Sequence, residues 1–180
     1  MASAFTHAAT ALALGTAFRR PGPPARFWVL GVAFAALPDL DGIGFWLGVP
    51  YESEFGHRGF SHSLFFAAIM ASVGLLAFRG AADRGRVWLF LFLATASHGV
   101  LDAMTSGGGG VAFFAPFHHE RYFFPWRPIL VSPMSIRRFF SERGLRVLGT
   151  ELVWIWIPGA AFALAAVVIR RRRDRGGTDR

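Results

Sequence analysis

The sequence FWVLGVAFAALPDLDGIGFWLGV, residues 27–49, is a mostly apolar run that is interrupted near its middle by Pro38, Asp39 and Asp41. A helix of this length can cross the roughly 30 Å hydrocarbon core of a bilayer. An ionisable side chain inside such a run costs free energy unless it is paired or coordinated, and it therefore marks a functional site. The stretch predicts a membrane helix that carries two carboxylates at membrane depth.

Four further apolar runs lie along the chain, at residues 2–18, 64–78, 87–101 and 152–169. The composition agrees with a membrane protein, because 53% of the 180 residues are hydrophobic and only 17% are charged, against about 25% charged in typical soluble domains. Several runs are shorter than the roughly 20 residues of a full span, so tilt or partial insertion is expected for some. We expect one domain, residues 1–180, folded as an all-α integral membrane helical bundle with four to five membrane segments.

All 19 basic residues are arginine, and the formal net charge is +8. These arginines collect beside the apolar runs, as membrane anchors do, so no direct binding of nucleic acid is expected. Placing the arginine-rich tail, residues 170–180, in the cytoplasm leaves twelve arginines inside and seven outside when five spans alternate, which is the favoured sense of the positive-inside rule. In this orientation the acidic and histidine groups at residues 7, 39, 41, 57, 62, 98 and 102 all lie toward the outer face.

Seven such groups are candidate metal ligands: His7, Asp39, Asp41, His57, His62, His98 and Asp102. His98 and Asp102 are four residues apart and share one face of a helix. Asp39 and Asp41 would diverge on a regular helix, but Pro38 can unwind the chain there and let both carboxylates converge. We place His57 in a loop and His62 at the start of the next helix, with Ser61 as its cap.

Imidazole and carboxylate ligands without sulfur suit Zn²⁺, Mn²⁺ or Fe, and the chain contains no cysteine. Seven ligands would serve one ion or two ions about 3.5–4 Å apart. Taken singly, each group has a plainer interpretation. His7 can hydrogen-bond a neighbouring helix, His98 and Asp102 can form a neutralised buried pair, and Asp39 can cap a kinked helix. A solvated loop is the expected place for His118, His119 and Glu120.

The order of these motifs resembles the YdjM-like family of bacterial inner-membrane, metal-dependent hydrolases, which is also described as LexA-regulated or LexA-binding. The resemblance covers about residues 1–130 and rests on His7 and on the boxes at 38–41, 57–63 and 98–107. It implies an α-helical hydrolase of the inner membrane whose metal ligands are the seven residues named above. A weaker similarity links the chain to the all-helical zinc phospholipase C and P1 nuclease group, which hydrolyses phosphoesters.

These observations favour metal-assisted hydrolysis of a phosphoester in a membrane lipid or lipid-linked substrate. The metal, most simply zinc, would activate a water molecule and polarise the phosphoryl oxygen. Asp39 or Asp41 is expected to accept the proton of the water, and Arg58 to bind the anionic group that is transferred or leaves. The glycines of residues 107–110 are expected to form a flexible loop over the mouth of the site.

Two other classes of function remain open. A transporter of divalent cations also needs acids and histidines at membrane depth, but it predicts polar groups along a whole path and an internal repeat. A regulatory membrane protein would use the metal for structure and would bind a partner such as LexA, through the arginine-rich tail or through residues 135–146.

Overall fold

The computed structural model describes residues 1–19, 23–133 and 135–176, and in these ranges the chain is helical without a β-strand. Two isolated bridges, Thr105 to Ile129 and Val111 to Tyr122, join loop segments. The α-helices of the described ranges are α1 (Ala4–Phe18), α2 (Ala25–Ala36), α3 (Leu64–Gly74), α4 (Arg84–Ala103), α5 (Ile136–Phe139), α6 (Glu142–Glu151) and α7 (Ile157–Gly176). Short 3₁₀ segments lie at Leu37–Phe45, Phe60–His62 and Leu75–Phe78, and a π-helical turn, Leu152–Trp156, joins α6 to α7.

Helix α4 forms the centre of the bundle, because α1, α2 and α3 all pack against it. Its side chains Phe90 and Leu91 are fully buried, and they contact apolar residues of α1, α2 and α3. Gly31 of α2 lies so close to the ring of Phe90 that a Cβ atom there would clash with it. The missing side chain is what lets α2 approach α4, as small residues do between membrane helices.

Hydroxyl and carboxylate caps set the starts of three helices. Ser3, Ser63 and Asp83 accept hydrogen bonds from backbone N–H groups in the first turns of α1, α3 and α4 respectively. Such caps satisfy donors that have no partner within the helix. The prediction that Ser61 caps the third helix is therefore wrong. Ser63 has that role, and the Ser61 hydroxyl instead donates to Asp41 Oδ2 at 2.5 Å.

Helix α2 ends at Ala36, and the chain continues as the 3₁₀ segment Leu37–Phe45. Pro38 stands at the start of that segment, where no hydrogen bond from its backbone nitrogen is needed. In the interior of an α-helix, the absence of that N–H would break the helix. The unwinding predicted from Pro38 is confirmed. The two carboxylates do not converge on one point as expected, because Asp39 contacts His98 whereas Asp41 contacts His57 and Ser61.

The helical stretch from the end of α6 through the π-helical turn to α7 lies along α1 and is held to it by polar contacts at three places. Glu151 accepts hydrogen bonds from the backbone N–H and the hydroxyl of Ser3, the Trp156 indole donates to Thr6 Oγ1 at 2.7 Å, and the Arg170 guanidinium donates to backbone carbonyls near the end of α1. The helix continues into the arginine-rich tail. Arg20 and residues 177–180, which entered the prediction of topology, lie outside the described residues.

By length and composition, two helical stretches of the described chain can cross a membrane: Ala25–Phe45 and Glu142–Arg172. The apolar helices Ala4–Phe18 and Leu64–Phe78 are shorter. At 1.5 Å per residue the 15 residues of α1 extend only about 23 Å, less than the hydrocarbon core. The all-helical prediction is confirmed, whereas only two candidate spans are found among the described residues, so the four to five membrane segments expected are not confirmed.

Candidate metal centre

The seven side chains predicted as metal ligands form one connected cluster at one end of α4. They come from α1, from the 3₁₀ segment after α2, from the loop and short 3₁₀ turn before α3, and from α4. His98 and Asp102 lie one turn apart on α4, both fully buried and both in the cluster. The expected convergence of the i and i+4 positions is therefore present in the fold.

At the centre, four residues offer ligand atoms that all lie within 4.8 Å of one another: Asp39, His62, His98 and Asp102. Asp39 Oδ1 lies 3.2 Å from His98 Nε2 and 4.0 Å from His62 Nε2, and Asp102 Oδ2 lies 3.7 Å from His62 Nε2. All four atoms are buried without a hydrogen-bond partner. A buried polar atom left unsatisfied typically costs about 1–3 kcal/mol. An ion bound to all four would remove that cost.

The second ring nitrogen of each central histidine faces an oxygen that orients the ring. His98 Nδ1 lies 2.7 Å from the backbone oxygen of Ala35, and His62 Nδ1 lies 3.1 Å from Asp41 Oδ2. Each Nδ1 can donate a proton to that oxygen, and each Nε2 is then left as a lone-pair donor toward the centre. This is the arrangement by which proteins fix histidine ligands of metals.

Asp41 differs from Asp39 because its carboxylate is fully used within the protein. Its Oδ1 lies 2.6 Å from His57 Nδ1, and its Oδ2 accepts hydrogen bonds from the Ser61 hydroxyl and the Arg58 backbone N–H. Asp41 also contacts Nδ1 of His62, so it lies on the side of His62 that faces away from the four central atoms. A second possible ligand group, formed by Asp41, His57 and His62, also lies within 4.8 Å, but its members already face one another.

The charges of the centre favour a cation. Burial alone would lower the pKa of His62, but the carboxylates of Asp102 and Asp41 outweigh burial and raise the pKa to about 9. When the histidines are neutral, the three carboxylates of the cluster exceed its positive groups by one charge, since the Arg58 guanidinium and the Met1 amino group, 3.9 Å from Asp102 Oδ2, are its cations. A cation at the four atoms without hydrogen-bond partners would offset this negative charge.

Arg58 is fully buried, and its guanidinium lies beside the carboxylate of Asp102. Its Nε lies 3.0 Å from Asp102 Oδ2, although not at a hydrogen-bonding angle, and its two terminal nitrogens donate to the Gly107 carbonyl and the Thr105 hydroxyl. Its backbone has φ of 66°, a left-handed conformation that costs a non-glycine residue free energy. The guanidinium is thus engaged by the protein itself, and this differs from the predicted role of binding a substrate anion.

The glycine-rich segment, residues 107–110, packs against the same arginine. Gly108 has φ of +96°, and a Cβ atom on it would clash with the guanidinium of Arg58. The N–H of Gly109 donates to the Tyr51 hydroxyl at 3.0 Å. Glycine is needed here for close approach and for backbone conformation, so the segment expected to be a flexible loop is a packed wall of the centre.

His7 stacks on His98, with ring centroids 3.6 Å apart, and its Nε2 lies 3.7 Å from Asp102 Oδ1. The ring is fully buried, and neither of its nitrogens has a hydrogen-bond partner. His7 therefore borders the centre without belonging to either group of convergent ligand atoms. His118, His119 and Glu120 are exposed on a loop, which confirms that prediction.

Sequence reasoning missed two residues that support the centre from outside. Arg121 donates to three backbone carbonyls in the loop before His62, those of Tyr51, Ser53 and His57, and it holds this loop against the rest of the fold. Glu151 is fully buried and fixes Ser3 at the start of α1. An acidic residue directly before the apolar run at 152–169 was the available signal for Glu151.

A cavity of about 390 Å³ adjoins the cluster. Asp39 and His57 line it together with apolar residues from the start of α1 and from α5 and its flanks, and this gives the buried centre one neighbouring space of the size of a small-molecule site. The side chain of Asp39 is 16% exposed, whereas those of His62, His98 and Asp102 are not exposed at all. Access to the centre is therefore through Asp39.

Comparisons with known proteins agree with this picture of a membrane-associated helical protein. A family model described as the YdjM inner membrane protein matches residues 1–173. The inner membrane protein YbcI of Escherichia coli strain K12 is 40% identical over 163 residues, which cover 88% of this chain and 93% of that protein. No solved structure matches the chain. The chain belongs to the YdjM family of inner membrane proteins, as the order of its motifs indicated.

Proposed function

We propose that this protein is a membrane-bound, metal-dependent hydrolase that acts on phosphoester bonds in a lipid or lipid-linked substrate. The observation that carries the proposal is the group of four buried ligand atoms, on Asp39, His62, His98 and Asp102, that lie within 4.8 Å of one another and have no hydrogen-bond partner. Unsatisfied buried groups of this kind mark a functional site. Their two oxygens and two nitrogens match the ligand preference of zinc, with manganese or iron as alternatives.

The arrangement supports one ion more directly than two. Asp39, His62, His98 and Asp102 would hold the ion, whereas the second group around Asp41 is satisfied by its own hydrogen bonds. When bound, a divalent ion would lower the pKa of a water molecule and polarise a phosphoryl oxygen. The surrounding protein supplies orientation and holds the proton acceptors.

Two residues are suited to proton transfer because they line the cavity. Asp39 reaches it directly, and His57 reaches it while its Nδ1 faces Asp41 Oδ1 at 2.6 Å. A histidine oriented by a buried carboxylate is a common general base and acid. We therefore assign proton transfer to Asp39 or His57, orientation of the histidines to Asp41, and orientation of Asp102 to Arg58.

The clustering also distinguishes hydrolysis from transport of cations. A transport path needs polar groups at successive depths of the membrane, whereas the seven ionisable groups here meet at one end of α4 beside one cavity. Binding of LexA or another regulator is a property that this site neither requires nor prevents.

Metal analysis and a substrate screen on the same sample test the proposal. Wild-type protein purified in mild detergent should contain about one equivalent of Zn, Mn or Fe and should hydrolyse a phosphoester from a panel of membrane lipids. Asp39→Asn and His57→Gln should each reduce turnover, with His57→Gln retaining its metal. A metal-free wild-type protein that regains no ion on reconstitution, or a fully loaded one without phosphoesterase activity, would refute the function proposed.

For the orientation we propose a multi-pass protein with the centre toward the outer face of the inner membrane and the arginine-rich tail in the cytoplasm. Reporter fusions measure this directly. A reporter after Arg180 should read as cytoplasmic, and one inserted next to Glu54 should read as external. The reverse pattern would place the centre on the cytoplasmic side.

A further inference from the structure

The cavity beside the metal centre is lined by Asp39 and His57, two residues of the cluster. The remaining lining is mainly apolar, and it includes Phe5, Phe139 and Phe140. The three rings form a continuous wall, since Phe5 lies 6.1 Å from Phe139 and Phe139 lies 5.6 Å from Phe140, measured between ring centroids.

The rim of the cavity is open on its aromatic side. Phe140 is 80% exposed and Phe5 is 59% exposed, although both belong to a protein of the inner membrane. Aromatic residues in this situation face the lipid or the membrane–water boundary. An apolar chain that is already in the bilayer can therefore enter the cavity from the side without crossing water.

We propose that this cavity binds one long apolar chain of the substrate, an acyl or prenyl chain, and that the phosphate attached to that chain lies beside Asp39 and His57, at the ion that the cluster would hold. This inference rests on the proposed function and adds the place in the fold that binds the hydrocarbon chain of the substrate. The cavity determines chain-length preference through burial of methylene groups. Each methylene that moves from water into it raises affinity about fourfold, until the cavity is filled.

Gly42 offers a way to shorten the cavity without disturbing its walls. It lines the cavity, and a Cβ atom on it would meet no atom within 4 Å. Gly42→Leu therefore fills space that is open in the wild-type protein. Gly149 is a matched control, because it is exposed on α6, it is not part of this cavity and its Cβ would also meet nothing within 4 Å.

The experiment uses n-alkyl phosphonates of increasing chain length, which cannot be hydrolysed, on the full-length protein in detergent. Affinity is expressed as the ratio of wild type to variant at each length, because this ratio cancels partitioning of the probe into micelles. We expect Gly42→Leu to weaken binding of long chains at least tenfold, to leave short chains unchanged and to retain metal, while Gly149→Leu matches wild type. A terminal diazirine on the longest probe should label Phe5, Phe139 or Phe140.

Two results would overturn the inference: a wild-type-to-variant ratio that does not change with chain length, or labelling away from these aromatic residues. Both readouts measure binding without turnover, so they are separate from the tests of hydrolysis. Length-dependent binding by a protein that hydrolyses no phosphoester would support the cavity and refute the proposed function. Hydrolysis with no dependence on chain length would do the reverse.

Discussion

The two aspartates of the 3₁₀ segment, only two residues apart in sequence, stand on opposite sides of His62 and in opposite situations. On the side of Asp39, four ligand atoms converge without hydrogen-bond partners. On the side of Asp41, both carboxylate oxygens are occupied by hydrogen-bond donors from His57, Arg58 and Ser61. Two residues of the same type in the same motif thus have different roles. They differ in whether the carboxylate has hydrogen-bond donors within the protein.

The difference teaches that a ligand motif contains both the ligands and the groups that orient them. Metal-binding histidines commonly donate their other ring nitrogen to a carboxylate or a carbonyl oxygen. Asp41 and the carbonyl of Ala35 are placed to accept from His62 and His98 in this way. Removing a group from the unpartnered side should therefore cost more metal affinity than removing a group from the satisfied side.

The largest effect is expected for His98→Ala, which removes one of the four convergent atoms. Metal content measured by elemental analysis should fall to background, because the remaining three ligands no longer close the site. His118→Ala is the matched control, since His118 is exposed on a loop, and it should keep the wild-type content. Equal metal content in the two variants would remove His98 from the site.

Arg58→Ala should give the largest loss of stability. It leaves the buried carboxylate of Asp102 without its cation, and breaking a buried pair in this way typically costs about 3–5 kcal/mol. Arg58→Gly loses the same guanidinium but relieves the left-handed backbone at φ of 66°, so it should be less destabilising than Arg58→Ala by about 1 kcal/mol.

Denaturant unfolding of both Arg58 variants after treatment with a chelator is the appropriate measurement. If alanine and glycine were equally destabilising, backbone strain at this position would be excluded. If neither destabilised the protein, Arg58 would not be the partner of Asp102.

Asp41→Asn should have an intermediate effect on metal binding. The amide keeps the shape of the side chain but loses the charge that orients His62 and His57, and replacing such an outer group typically lowers metal affinity about 10- to 100-fold. Titration with zinc should therefore still reach one equivalent, at higher free metal. Asp39→Asn should fail to reach it. Identical titrations for the two variants would contradict the division between the two sides.

Glu151→Gln is expected to have the smallest effect on stability. Glu151 belongs neither to the group around Asp39 nor to the group around Asp41, and its hydrogen bonds fix only the start of α1. The amide can still accept a hydrogen bond from Ser3, so the loss should be about 1 kcal/mol, the difference between charged and neutral acceptors. Glu142→Gln is a control in the same helix, since Glu142 is exposed and paired only with Arg146. A greater loss for the Glu142 variant in thermal unfolding would contradict the role assigned to Glu151.

Much of the candidate site was predictable because its signals are local. The spacing of His98 and Asp102 fixes a common helix face, and Pro38 limits the chain to a conformation that ends α2. Ionisable side chains within apolar runs are costly unless they are paired, so these groups were expected to contact one another. These arguments depend only on neighbouring residues and on the cost of burial.

The division of roles within the site was not predictable in the same way. Asp39 and Asp41 differ only through the loop that carries His57 and Ser61, whose position depends on the contacts of Arg121 with backbone carbonyls. From the sequence, Arg58 is expected to be a free cation. No neighbouring residue indicates that its guanidinium contacts the Asp102 carboxylate and donates to the Thr105 hydroxyl. The expected number of membrane segments is not confirmed, and for helix α4 the physical reason is that half of its residues are buried against neighbouring helices, so its apolar sequence serves packing within the protein.

The hydrogen bonds between Glu151 and Ser3 join residues that are 148 positions apart in the chain. Ser3 lies beside Ala2, whose N–H donates to Asp102 at 2.7 Å, so the first residues of the described chain form part of the wall of the centre. Translation delivers Glu151 long after α1 has left the ribosome. The wall of the centre is therefore completed only when Glu151, at the end of α6, reaches the start of α1, and a chain arrested before α6 would have all seven candidate ligands yet lack this closing contact.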